Sequence, residues 1–273
     1  MPEQASNEKP AASRLPRRSH LLDTFLFGLV ILLLVVFMAR GTEKLGYNWQ
    51  WYRVPQYMFM FDDQGFQPGP LLKGLGVTLE ITGISLVLAF GFGLVTALFR
   101  ISGSFSARWI ARAYVETVRN TPLLVQLFFI YFVLGPILGI DRMTSAVLAL
   151  SLFEGAYASE ILRAGIESVE KTQWEAAYSI GLHPLGAFRL VVFPQALRRV
   201  LPPLTSQAVS LLKDSALVST IAVFDLTMRG RAIISETYLT FELWFTVAAM
   251  YLAVALALSG VVWVLEKRMS KML

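Results

Sequence analysis

The stretch Lys171-Thr172-Gln173-Trp174-Glu175-Ala176-Ala177-Tyr178-Ser179-Ile180-Gly181 decides how this chain is read. From Glu170 to Ile180 it has the residues of a short polar helix, with a small-residue face at Ala176 and Ala177. Gly181 then supplies the positive φ on which helices end. Small side chains let another surface approach the backbone closely. The segments on either side are too apolar for a soluble protein. A polar helix between long apolar runs is a handle that a second protein can grip, so its side of the membrane matters.

Working outward, Pro184 suits the first turn of a second helix, which runs from Leu185 to Phe193 with Phe188, Val191 and Val192 on one side. Pro194, Pro202 and Pro203 are expected to end it and lead into the next apolar run. Residues 168–201 therefore read as a helix–turn–helix at the membrane surface.

Composition agrees with a membrane setting. The 273 residues are 55% hydrophobic and 16% charged, and soluble domains carry about 25% charged residues. Mean hydropathy is +0.58. The chain has no cysteine, which excludes disulfides and thiolate metal sites, and no metal site is expected. Its net charge of +5 reflects Lys and Arg in cytoplasmic loops, not nucleic-acid binding. No Gly-rich Lys-Ser/Thr phosphate loop occurs, so the chain is not expected to hydrolyse nucleotide, and no cofactor is expected on it.

About 20 apolar residues cross a bilayer. Candidate spans are Leu22–Ala39, Leu75–Phe99, Val115–Leu138, Met143–Ala164, Thr205–Phe224 and Glu242–Leu265. The fold class is thus all-α integral membrane with six transmembrane helices. Asn120 and Thr121 interrupt the third span, and Lys213 and Asp214 the fifth. The first run is preceded by a polar tail, residues 1–21, with Arg14, Arg17 and Arg18; Met38-Ala39-Arg40 is a poor cleavage site, so 22–39 reads as an uncleaved anchor.

The bias of Lys and Arg orients the spans. Arg100, Arg108 and Arg112 follow the second; Arg163, Lys171, Arg189, Arg198 and Arg199 follow the fourth; Lys267, Arg268 and Lys271 follow the sixth. Both termini and the Glu175 loop are expected in the cytoplasm. Residues 40–73 then form a periplasmic loop. Its Tyr47, Trp49, Trp51, Tyr52, Tyr57, Phe59 and Phe61 read either as an interfacial belt or as a docking surface for an outside partner.

Ionisable groups inside spans are costly unless paired or hydrated. Glu154 lies roughly 16 Å into the fourth span, near the midplane, and Lys213 and Asp214 roughly 12 Å into the fifth. Adjacent on a helix, Lys213 and Asp214 point about 100° apart and do not simply neutralise each other. Glu80 is shallower, near the outer face. Glu154 and Asp214 can line a central pathway and meet a substrate ammonium, with Lys213 for its carboxylate. Alternatively Glu154 and Lys213 pair and fix the bundle. Glu160 and Arg163 are spaced to pair. Gln126, Thr78, Thr82 and Ser85 are weaker candidates, because small and hydroxyl residues in spans most often serve helix packing, and Gly91, Gly93, Ala89 and Ala97 are read as packing residues.

An ordered set of motifs carries a resemblance. Besides Glu175-Ala176-Ala177 with Gly181, it includes Arg119-Asn120-Thr121-Pro122-Leu123-Leu124-Val125-Gln126, and Gly155-Ala156-Tyr157 with Glu160 and Arg163. Pro194-Gln195-Ala196, Pro202-Pro203 and Leu212-Lys213-Asp214-Ser215 complete it. From Gly74 onward the chain resembles permease subunits of bacterial ATP-binding-cassette (ABC) importers of the polar amino acid family, the histidine, glutamate, glutamine and arginine type. Thr172 stands where that family usually has Gly, and Ser215-Ala216 where Thr-Ser is common. The resemblance implies a five-helix permease domain, 74–273, with the first span as an added helix, and a coupling helix at Glu175–Gly181 that inserts into a partner ATPase. It also implies ATP and Mg bound on that ATPase, a second permease subunit (the same chain or a paralogue), a periplasmic amino acid-binding protein, and an inner-membrane location. Two other readings are a secondary transporter working without an ATPase, and a non-transport membrane scaffold.

Overall fold

The computed structural model describes residues 20–44, 46–62 and 65–271. The polar tail, residues 1–19, lies outside the described residues. The chain divides into two compact units, Met1–Trp49 and Gln50–Leu273. The first contains α1 (His20–Lys44), whose apolar stretch is Thr24–Phe37. Leu, Val, Ile and Phe surround this helix on all sides, as expected of a segment bathed in lipid.

The second unit opens with a turn, Trp51–Arg53, the short α2 (Pro55–Met58), and an antiparallel hairpin of β1 (Phe59–Asp62) and β2 (Gly65–Pro68). Phe59 pairs with Pro68 and Phe61 with Phe66, which gathers the phenylalanines on one face. Pro70 then starts α3 (Pro70–Ile101). Next come α4 (Phe105–Arg119), α5 (Leu123–Phe128), a wide π-type turn over Phe129–Leu134, and α6 (Gly135–Leu138). Asp141 caps α7 (Arg142–Glu167) by accepting the Thr144 amide at 3.0 Å. After α8 (Lys171–Ser179) and α9 (Pro184–Ala187), a second wide turn, Phe188–Val192, runs into α10 (Phe193–Asp214). A tight 3₁₀ segment, Ser215–Ile221, α11 (Leu226–Thr237) and α12 (Thr240–Lys271) complete the chain.

Among the described residues three helices are long and apolar enough to cross a membrane: Pro70–Ile101, Arg142–Glu167 and Thr240–Val264. A fourth is reached if α4 and Leu123–Leu138, bent by 107°, count as one span. The third span expected over Val115–Leu138 is therefore broken where Asn120 and Thr121 interrupt it. Pro122 offers no amide to continue α4 and disfavours the helical conformation of Thr121. Asn120 ends α4 by donating its Nδ2 to Glu116 O at 2.7 Å.

The fifth span also differs from expectation. Thr205–Phe224 is split between the end of α10 and the 3₁₀ segment, and Pro202 and Pro203 lie inside α10 instead of ending a helix. The carbonyls those prolines leave unpaired belong to Arg198 and Arg199, which are exposed, so water or headgroups can satisfy them. The helix expected over Leu185–Phe193 is likewise continuous with α10.

The principal core is α3 laid along α7. Lipid is as apolar as leucine, so close van der Waals contact holds such helices together, not water exclusion. Ala89, Ala97, Ala146, Ala149, Ala156 and Ala158 are all buried. A Cβ at Gly93 would stand 2.8 Å from that of Ala158, so only glycine lets the axes approach this closely. Gly91 faces open space, so of the two glycines only Gly93 serves packing. Thr78 and Ser85 act as packing residues: Thr78 Oγ1 donates to Gly74 O and accepts from Leu226 N, both at 3.1 Å, and Ser85 Oγ donates to Val147 O at 3.4 Å. A second cluster joins Leu71 of α3, Leu226 and Ile233 of α11, Leu239 of the turn that follows, and Leu243 and Val247 of α12. Glu242, fully buried, accepts the Gln50 amide at 2.7 Å.

Candidate functional site

The polar helix read from sequence is α8, and its end has the expected geometry. Gly181 has φ +82. Gly181 N donates to Tyr178 O at 2.9 Å and Leu182 N to Ala177 O at 3.1 Å, the paired bonds of a Schellman stop. His183 caps α9, its Nδ1 accepting Gly186 N at 3.3 Å, and Pro184 occupies the first turn as expected.

This corner is held from behind. Gln195 Nε2 donates to Gln173 Oε1 at 3.1 Å. Arg199 donates to Ser168 O and, at 2.9 Å, to Ser168 Oγ. Val169, Val192 and Ala196 form a small core with Ile166, Trp174 and Phe188. Thus α8 is fixed to the end of α7 and the start of α10. Glu175 and Ala176 are exposed, but Ala177 is buried in its own chain, which corrects the expectation that both alanines face outward. The outward surface instead includes Tyr178, Leu185 and Ile180, the last 76% exposed.

Beside this corner, Glu160 gathers arginines from three helices. Arg163 reaches it at 2.9 Å, as the i, i+3 spacing led us to expect; Arg119 comes within 3.6 Å, and Arg100 pairs with it directly. Arg119 also lies over the Tyr157 ring, 5.1 Å from its centroid. Sequence spacing carried no signal for Arg100 or Arg119, because they arrive from the ends of α3 and α4.

A second feature lies between α3, α7 and α10. A cavity of about 380 Å³ is walled by Leu86, Phe90, Ala158 and Leu204, with Glu154, Thr205 and Gln207 as polar groups. Glu154 is only 2% exposed and has no ion pair among the described residues; the Gln207 side chain is the polar group set to meet its carboxylate across the cavity. The alternative that Glu154 pairs with Lys213 is overturned: Lys213 is exposed at the end of α10. Asp214 is half-buried and also does not line the cavity; both lie about two turns beyond Gln207. Gln126 is used structurally, its Nε2 donating to Val118 O at 2.7 Å and Thr121 O at 3.0 Å across the α4–α5 break. Glu80 is exposed on α3, away from the cavity. Thr205 and Gln207 were missed in the sequence, where nothing distinguishes them from packing residues.

Comparison with known proteins gives the architecture its family. Residues 89–271 match the binding-protein-dependent transport system inner membrane component family. The glutamine transport system permease protein GlnP of Escherichia coli (strain K12) is 38% identical over 202 residues, 73% of this chain and 92% of that one. The L-cystine transport system permease protein TcyB of Bacillus subtilis (strain 168) is 40% identical over 206 residues, 74% and 88% of the two chains. A crystal structure of an amino acid ABC transporter with histidines superposes with TM-score 0.69 at 38% identity, covering 73% of this chain and 94% of that one. A bacterial ABC transporter for alginate import shares the fold at TM-score 0.63 and 14% identity, over 91% of this chain and 93% of that one. The chain belongs to the binding-protein-dependent transport system inner membrane component family, as a multi-pass inner-membrane permease of the amino acid ABC importers.

Proposed function

We propose that the chain moves a polar amino acid inward, driven by ATP bound with Mg on separate ATP-binding cassette subunits. It pairs with a second permease subunit and receives substrate from a periplasmic amino acid-binding protein. Six spans carry it: α1, α3, the bent α4–α6, α7, α10 with its 3₁₀ extension, and α12. Both termini and α8 then face the cytoplasm, in keeping with the arginines at the ends of α3 and α7. The glutamine and cystine systems of its relatives support a polar amino acid as cargo.

The observation that carries this reading is the exposed, braced corner at Glu175–Gly181. ATP binding draws two ATPase subunits together and favours the permease state whose coupling helices are close. Because α8 is fixed to α7 and α10, its displacement passes to two of the three walls of the Glu154 cavity. Hydrolysis reverses the motion and returns the site inward. The burial of the Glu154 carboxylate in the wall of that cavity, with no cation against it, supports a role in meeting the substrate ammonium there.

Gly181→Val tests the proposal. A β-branched residue at φ +82 costs on the order of 1–3 kcal/mol and unseats the stop. The variant is expected to insert normally and to lose most substrate-stimulated ATP hydrolysis and uptake. Normal coupling in both assays would overturn the role given to this corner.

A further inference from the structure

We infer that Arg108 and Arg112, beside Phe105 and Trp109, form a binding site for the phosphate of an anionic phospholipid headgroup. The spacing builds the site. Arg108 and Arg112 are four residues apart on α4, as are Phe105 and Trp109, so the pairs make neighbouring rows on one helix face. Together the four side chains line a pocket of about 250 Å³. Neither guanidinium has an ion pair or hydrogen bond among the described residues, whereas Arg100, Arg119 and Arg163 all converge on Glu160. Phe105 is 76% and Trp109 64% exposed.

The face of α4 that flanks the arginine row is fixed to the bundle. Ala111 and Val115 are buried, and Tyr114 Oη donates to Leu152 O at 2.5 Å. The arginine face is therefore presented by a seated helix. It starts within four residues of the end of α3, whose last turns expose Leu98, Phe99 and Ile101. The rings of Phe105 and Trp109 thus continue an apolar, lipid-facing surface at the point where arginines begin. Aromatic rings settle at the glycerol level of a bilayer, and paired arginines beside them are complementary to a phosphate diester. A protein groove would explain the charge but not the continuity with the lipid-facing surface. The leaflet, though not the site, rests on the proposed cytoplasmic placement of this end of α3.

The test uses the full chain in its complex with the ATPase, in nanodiscs of phosphatidylethanolamine with a minor fraction of phosphatidylglycerol. Native mass spectrometry counts the lipids retained. Arg108→Gln with Arg112→Gln is expected to lower retained phosphatidylglycerol on the order of tenfold, while Arg189→Gln with Arg198→Gln leaves it unchanged. The fluorescence lost in Trp109→Phe is expected to be the part quenched by brominated phosphatidylglycerol and spared by brominated phosphatidylethanolamine. Unchanged retention in the first pair, or equal loss in the control pair, overturns the site. So does displacement by inorganic phosphate at matched concentration, or shielding of Trp109 by the ATPase subunit. Loss of retention in a complex that transports nothing leaves this site standing and counts only against the import proposal.

Discussion

Glu154 is the residue whose surroundings demand a partner. A carboxylate buried beside an apolar cavity with no cation against it is costly to keep charged. If the substrate ammonium is that partner, Glu154→Gln removes the charge at little structural cost. The variant is expected to melt no earlier than the parent, while its KM for uptake rises about tenfold or more. A lower melting temperature with unchanged KM and selectivity would make Glu154 a packing residue. Its depth was legible because it interrupts an apolar run. Gln207 and Thr205 were not, since their meeting with Glu154 depends on how α7 and α10 cross, and no spacing within one helix encodes that.

At the scale of elements, the α4–α5 break shows where sequence reading stops. The apolar count over Val115–Leu138 satisfied a span, yet Asn120, Thr121 and Pro122 turn the chain by 107°. Gln126 stabilises that turn by donating to Val118 O, which the missing Pro122 amide leaves without a helical partner, and to Thr121 O. Gln126→Ala is expected to cost about 1–3 kcal/mol, read as a lower melting temperature in detergent, with substrate selectivity intact. A change in selectivity at unchanged stability would return Gln126 to the substrate pathway. The double proline misled in the opposite direction. Pro202 and Pro203 read as a stop, but the carbonyls they free lie on the exposed Arg198 and Arg199, so α10 continues. By contrast, the stop at Gly181 and the start at Pro184 were legible, because a positive φ and a missing amide are local requirements that residue type alone expresses.

At the scale of the whole molecule, the proposed mechanism is that the corner at Glu175–Gly181, facing the cytoplasm, transmits the closure of a nucleotide-driven partner into the helices around Glu154. Gln173–Gln195, Arg199–Ser168 and the Val169–Val192–Ala196 core make that corner move with α7 and α10. The absence of native cysteine makes one direct measurement possible. Ala176→Cys places a single thiol on the exposed face of α8. Its labelling by a membrane-impermeant maleimide is followed in inside-out and right-side-out vesicles, with and without the ATPase subunits. Labelling is expected only from the cytoplasmic side, with protection when the ATPase is docked. Labelling only from the periplasmic side, or labelling indifferent to a docked ATPase, would contradict the proposed mechanism.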